Sequence, residues 1–202
     1  MKRVSLMLAT LLLALPASAD DRFDSLKTQA HRVDSLSGFL ERFVGGCKDT
    51  YEKRSCEENV RVARKGLEGK LMVVSLGDRT PEIVRAEATG DHFRILVTPF
   101  IDGGGYALTH GVPAKQDSAG RPLINYIVIE GTLPAGGELE FQGPFRTGHV
   151  EMEVLFKPEG TWKLKRKGEP GYYQGVKARF VGLRLIDQRT GSEIAAKMLS
   201  GA

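Results

Sequence analysis

The hydrophobic period changes once along this 202-residue chain, near Gly69, and that change narrows the folds open to it. Before Gly69, the apolar residues Phe23, Leu26, Ala30, Val33, Leu36, Leu40 and Phe43 recur every three or four positions, the spacing of one helical stripe. Asp20, Asp21 and Asp24 stand at its start, where acids complement a helix dipole. Gly45-Gly46 offers a stop, because glycine takes the left-handed conformation of a helix end. The spacing therefore predicts one helix up to Gly45. Ser55-Cys56-Glu57-Glu58 fits a capping box that opens a second helix. Cys56, Val60, Ala63 and Leu67 form its apolar face, and Gly66 and Gly69 end it. Glu57 with Arg61, and Arg64 with Glu68, have the i,i+4 spacing of solvent-side ion pairs.

From Lys70 onward the period becomes two. Residues 71–74, 92–98, 150–156 and 181–185 read as strands, and 124–129, apolar on both faces, reads as a central strand. Turn-forming residues separate them at 89–91, 117–120, 134–137, 158–160 and 189–191. The expected class is α+β, mainly β. A helical hairpin over 20–69 packs on a β-domain over 70–202, an antiparallel β-sandwich or flattened barrel of about 8–10 strands.

The extreme N-terminus carries a different signal. Lys2 and Arg3 precede an apolar run at 6–16, and Ala17-Ser18-Ala19 supplies small residues for cleavage. That order predicts a secretory signal peptide over 1–19, with the mature chain starting at Asp20. The run is too short to span a membrane, so no transmembrane segment is expected after cleavage. Export to a periplasmic or extracellular space gives the two cysteines, Cys47 and Cys56, a structural reading as one disulfide. The bond would clamp the helical turn, at about 3 kcal/mol for a loop of roughly ten residues. Removing Lys2 and Arg3 lowers the net charge from +4 to +2, too balanced for a nucleic-acid binder.

Few residues point to chemistry. Asp102-Gly103-Gly104-Gly105 lacks the Lys-Ser/Thr of a phosphate loop. His31, His92, His110 and His149 have no metal-ligand spacing, and the segment between the cysteines holds no histidine, so no metal is expected. His110 and His149 lie in or beside turns, where solvated positions are the plainer reading than a shared site. Ser75, Ser118 and Ser192 sit outside any nucleophile elbow. Glu138/Glu140 and Glu151/Glu153 alternate with apolar residues, which places each pair on one face of a strand.

The segment 162–173 stands out. The only tryptophan, Trp162, is followed by Lys163, Lys165, Arg166 and Lys167, then by Tyr172 and Tyr173. An exposed aromatic beside cations suits stacking on a sugar or holding an anionic polymer. The other reading turns Trp162 and Leu164 into the core and leaves the lysines to solubilise an edge strand.

In organisation the chain resembles small exported bacterial proteins of unknown function. The resemblance rests on the signal, the Cys47/Cys56 hairpin, Tyr106-Ala107-Leu108-Thr109-His110-Gly111 and Leu185-Ile186-Asp187-Gln188-Arg189-Thr190-Gly191. It brings no catalytic residue and no cofactor with it. The expected function is that of an exported, non-enzymatic binding or structural protein of the bacterial cell envelope. Its expected partner is an envelope polymer or another exported protein, not nucleic acid. Two alternatives are an envelope carbohydrate hydrolase using Glu151 or Glu153, and a carrier with an apolar cavity between the sheets.

Overall fold

The N-terminal stripe is divided among three elements: α1 (Ala19–Gln29), β1 (His31–Val33) and α2 (Leu36–Val44). The structure, a computed structural model, describes residues 19–45, 47, 53–113, 115–118 and 120–199. Apart from Ala19, the predicted signal peptide lies outside the described residues, as does Gly46. After α2 come α3 (Lys53–Leu67), β2 (Met72–Ser75), α4 (Thr80–Ile83), β3 (Val84–Thr89), β4 (His92–Val97) and β5 (Phe100–Asp102). The chain continues through β6 (Ala107–His110), β7 (Lys115–Gln116), β8 (Pro122–Leu123) and β9 (Ile127–Thr132). It ends with α5 (Glu138–Thr147), β10 (Val150–Lys165), β11 (Tyr172–Asp187) and β12 (Glu193–Met198).

The expected α+β, mainly β class holds, and the sheets stay open rather than closing into a barrel. The principal sheet runs β1-β2-β10-β11-β6-β5, with β12 also on β11. It is mixed: β1 pairs β2, and β6 pairs β11, in parallel. A second sheet, β3-β4-β9, is antiparallel throughout. β7 and β8 form a small hairpin of their own.

Parallel neighbours need a crossover, and the helical hairpin is that crossover: the chain leaves β1, runs through α2 and α3, and returns in β2. This is why the predicted first helix breaks. Residues 31–33 are consumed by the ladder, and Ser35 starts a new helix by accepting the Gly38 N–H at 3.1 Å. α3 begins at Lys53, so Ser55 sits inside its first turn and is not its cap. Arg61 pairs with Glu58 rather than Glu57, at 2.6 Å. Arg64 turns away from Glu68 and donates to the Phe43 carbonyl at 3.1 Å, tying α3 to the end of α2. Cys47 and Cys56 are joined, with Cα atoms 5.8 Å apart. The half-buried side of α3 carries Cys56, Val60, Ala63 and Leu67, the predicted stripe.

The two faces of the principal sheet are covered differently. One face meets α2, α5 and the second sheet in a single core. Leu40, Phe43, Ile95, Ile129, Phe141, Met152, Val154, Phe156, Phe180 and Leu183 belong to it. The space between the sheets, where an apolar ligand would have to sit in the carrier reading, is occupied by these side chains. On the opposite face α1 is pinned by Phe23, fully buried against a small cluster with Val73, Leu155 and Val181. Burying such a ring stabilises by about 1.5–3 kcal/mol. Gly182 makes the approach possible, since a Cβ there would stand 3.1 Å from the Phe23 ring.

Two strand readings are corrected. Residues 124–129 do not form a central strand: β9 begins at Ile127 and lies at the end of the order β3-β4-β9. Its second apolar face is explained by β12, which lies close enough for Lys197 to donate to the Val128 carbonyl. Glu138 and Glu140 are not on a strand but in the first turn of α5, two positions apart and so on different sides of the helix. The turn after β11 matches expectation. Gly191 has φ +72° and its N–H donates to the Asp187 carbonyl at 2.8 Å.

Candidate functional site

The segment 162–173 is the far end of the β10–β11 hairpin. Alternation along β10 sends Trp162 and Leu164 to one face and Lys163 and Lys165 to the other. Trp162 is 4% exposed and lies beside Phe100, with ring centroids 6.1 Å apart. It does not offer an open ring to a sugar; the reading that turns Trp162 inward is the one the fold adopts. Its indole N–H has no acceptor among the described residues. Tyr172 stays well exposed, at 59%. Tyr173 is covered by Arg166, whose guanidinium carbon sits 4.7 Å from the ring centre. That stacking fixes a cation at the hairpin end, worth about 0.5–1 kcal/mol at an exposed site.

Sequence reasoning missed the second half of this cationic end. The β7–β8 hairpin docks on it through Gln116, whose amide donates to the Lys165 carbonyl and accepts the Lys167 N–H at 3.1 Å. This brings Lys115 and Arg121 beside Lys163, Lys165, Arg166 and Lys167. The acids nearby are Asp117, bonded to Arg121 at 2.7 Å, and Glu169, 3.4 Å from Arg166. On its other side Lys163 shares a cleft of about 480 Å³ with Arg61 and Arg64 of α3, where Glu57 is the acid. The Asp117–Gly120 turn between two basic residues was the only local hint of this convergence. Nothing local foretold α3.

The carboxylate pair on β10 is engaged in structure. Glu151 accepts from the Ser75 hydroxyl. Glu153 accepts from Lys27 of α1 at 2.6 Å and from Arg184 of β11 at 2.9 Å. Arg184 also reaches Asp24 at 2.7 Å and covers the Phe23 ring at 4.7 Å. Burial alone would push the Glu153 carboxyl up, but the hydrogen bonds and charges of Lys27 and Arg184 outweigh it and hold the group below the ordinary glutamate range. A general acid needs the opposite shift.

His110 and His149 do not meet. His110 lies opposite Ala178 and His149 opposite Gln188, about 25 Å apart along β11 at the usual rise per residue. His149 shares a contact with the Thr147 hydroxyl at 3.0 Å. His110 has a structural task. Its Nδ1 accepts the Phe180 N–H at 3.0 Å, which requires a neutral ring with the proton on Nε2. Burial lowers its pKa, and the Glu159 charge and the Ala178 carbonyl oppose this only in part.

The sign of the pH effect follows. An unfolded histidine binds its proton near 6.5, and folded His110 binds it only at lower pH. Its stabilising contribution is complete above 6.5 and is lost as pH falls through the folded pKa. Urea midpoints at pH 7.5 and 5.0 are expected to show a loss that His110→Asn removes. An identical loss in the variant would refute this role.

Among the described residues no three His, Cys, Asp or Glu side chains gather as a metal site, and no helix is long and apolar enough to cross a membrane. Neither curated proteins nor solved structures yield a match to the chain. The model of a family of unknown function, DUF6066, matches residues 1–200, and the chain belongs to that family.

Proposed function

We propose that this is an exported, non-enzymatic binding protein of the bacterial cell envelope, and that the cationic end of the β10–β11 hairpin holds an anionic envelope polymer. The observation that carries the reading is the charge imbalance there. Lys115, Lys163, Lys165 and Lys167 have no ion partner among the described residues, in a chain whose net charge is only +4. The cleft shared with Arg61 and Arg64 extends the same sign of charge toward α3. A polymer recognises such a surface by many weak, salt-screened contacts rather than by one deep pocket. The disulfide supports export, since such bonds persist in oxidising compartments. The signal peptide over 1–19 and the two-part organisation over 20–69 and 70–202 belong to the same proposal.

The test is affinity for a carboxylated polysaccharide, alginate, against neutral dextran. Alginate is expected to bind at low salt and to be released as salt rises. The triple variant Lys163→Glu/Lys165→Glu/Lys167→Glu is expected to lose about tenfold or more in affinity, roughly 1.4 kcal/mol. Equal binding of dextran, or full alginate affinity in the triple variant, would defeat the proposal.

A further inference from the structure

A second cleft lies where the helical hairpin opens, away from its disulfide. The turn end of the hairpin is clamped by Cys47 and Cys56, and the cleft sits where the start of α2 and the end of α3 meet the β1 edge of the principal sheet. Its volume is about 350 Å³, the small end of the range for ligand sites. The floor is apolar, made of Val33, Phe39, Leu67 and Met72. Gly38 lines it as well, so the exposed side of α2 carries no side chain at that point.

The rim is cationic. Arg32, Arg42 and Lys70 surround the opening. Arg32 reaches the one acid of the rim, Asp34, at 3.4 Å, with both side chains almost wholly in water. Arg42 and Lys70 have no ion partner among the described residues. An apolar floor under unpaired cations is complementary to one kind of molecule: an apolar tail with an anionic head. The apolar part gains by leaving water, and the head meets charges that burial of the tail brings close.

We infer that this cleft binds a free single-chain amphiphile with an anionic headgroup, a short fatty acid being the simplest case. The site lies apart from the hairpin end and does not depend on what binds there. The volume suits one short chain rather than a folded lipid pair.

Nuclear magnetic resonance titrations with octanoate, octanol and inorganic phosphate separate the contributions. Octanoate is expected to bind saturably and shift the amides of Val33, Gly38, Phe39 and Lys70. Octanol, with the same tail and no charge, is expected to bind about fivefold more weakly or worse, and phosphate not to saturate. Arg42→Glu/Lys70→Glu is expected to weaken octanoate about tenfold, and the milder Arg42→Gln/Lys70→Gln to do so in part should the reversal disturb the fold. Lys163→Glu is expected to leave octanoate binding unchanged while weakening alginate, so the two proposals fail separately. Equal affinity for octanol and octanoate, shifts mapping elsewhere, or full affinity in both charge variants would overturn the inference. So would sedimentation with phosphatidylglycerol vesicles in the absence of octanoate binding, which would assign the cations to a bilayer surface.

Discussion

Glu153→Leu is expected to destabilise the protein by about 3 kcal/mol, the lower end of what breaking a buried ion pair costs. The lower end applies because Lys27, about a third exposed, can swing into water when its partner is lost. Arg184 cannot follow it: its side chain is 12% exposed and stacked on Phe23, so it would keep only Asp24. The damage should concentrate on α1, which this network and Phe23 hold to the sheet. The triple variant Lys27→Met/Glu153→Leu/Arg184→Met is expected to recover most of the loss, since apolar replacement of a whole buried network is often neutral or stabilising. Acid provides an independent reading. Glu153 titrates below its ordinary 4.5 in the folded state, so its contribution is present above that pH and is lost as pH falls through the folded value. Glu153→Leu should flatten that part of the stability curve. A neutral single variant, measured by urea unfolding at pH 7, would show that α1 is held by Phe23 alone.

Gly175→Ala is expected to cost about 3 kcal/mol, at the upper end for overpacking. Gly175 pairs with Ala107 where β11 runs parallel to β6. A Cβ at that position would overlap the Ala107 carbonyl oxygen, 2.9 Å from its carbon and 3.0 Å from the Ala107 nitrogen. These are backbone atoms of a paired strand, so no side-chain rotation relieves the clash. β6 would have to move off β11. Gly143→Ala is the control, because that position lies inside α5 with nothing within 4 Å of an added Cβ. It should gain about 0.5–1 kcal/mol from helix propensity. A thermal melt in which Gly175→Ala matches the parent would show that the β6–β11 register tolerates a shift.

The parts of the fold legible in the sequence were those whose reason is local. The stripe of α3 and the alternation of 150–156 each record a face buried along one element. Cys47 and Cys56 were legible because only one pairing exists in the chain. The break at residues 31–33 was not, because a parallel ladder to β2 leaves no periodic trace. Phe23 and Leu26 also fit the stripe of Leu36–Val44 by spacing, yet they pack on the opposite face of the sheet. The one available signal was Ser35, a good cap preceding Leu36. α5 was hidden by Gly143 and Pro144, which read as breakers, and by alternation in Glu138-Leu139-Glu140-Phe141. Its acidic first turn and the following Gly148, at φ +73°, were the counter-signals. At the candidate site the basic run was plain, but its enlargement by Lys115, Arg121, Arg61 and Arg64 depends on contacts between distant segments. So does the burial of Trp162.

The order of strands has a consequence for when the chain can fold. β10 and β11 form the middle of the principal sheet, yet they come from residues 150–187 of the sequence. β2, β5 and β6 precede them, and β2 and β6 find their places only by pairing with them. Until the last quarter of the chain is available, the first 149 residues have no central sheet on which to assemble. Such long-range pairing is slow, since distant segments must be brought together before any contact rewards it. A polypeptide with this wiring stays extended while it is being made, which is the form that threading through a membrane pore demands.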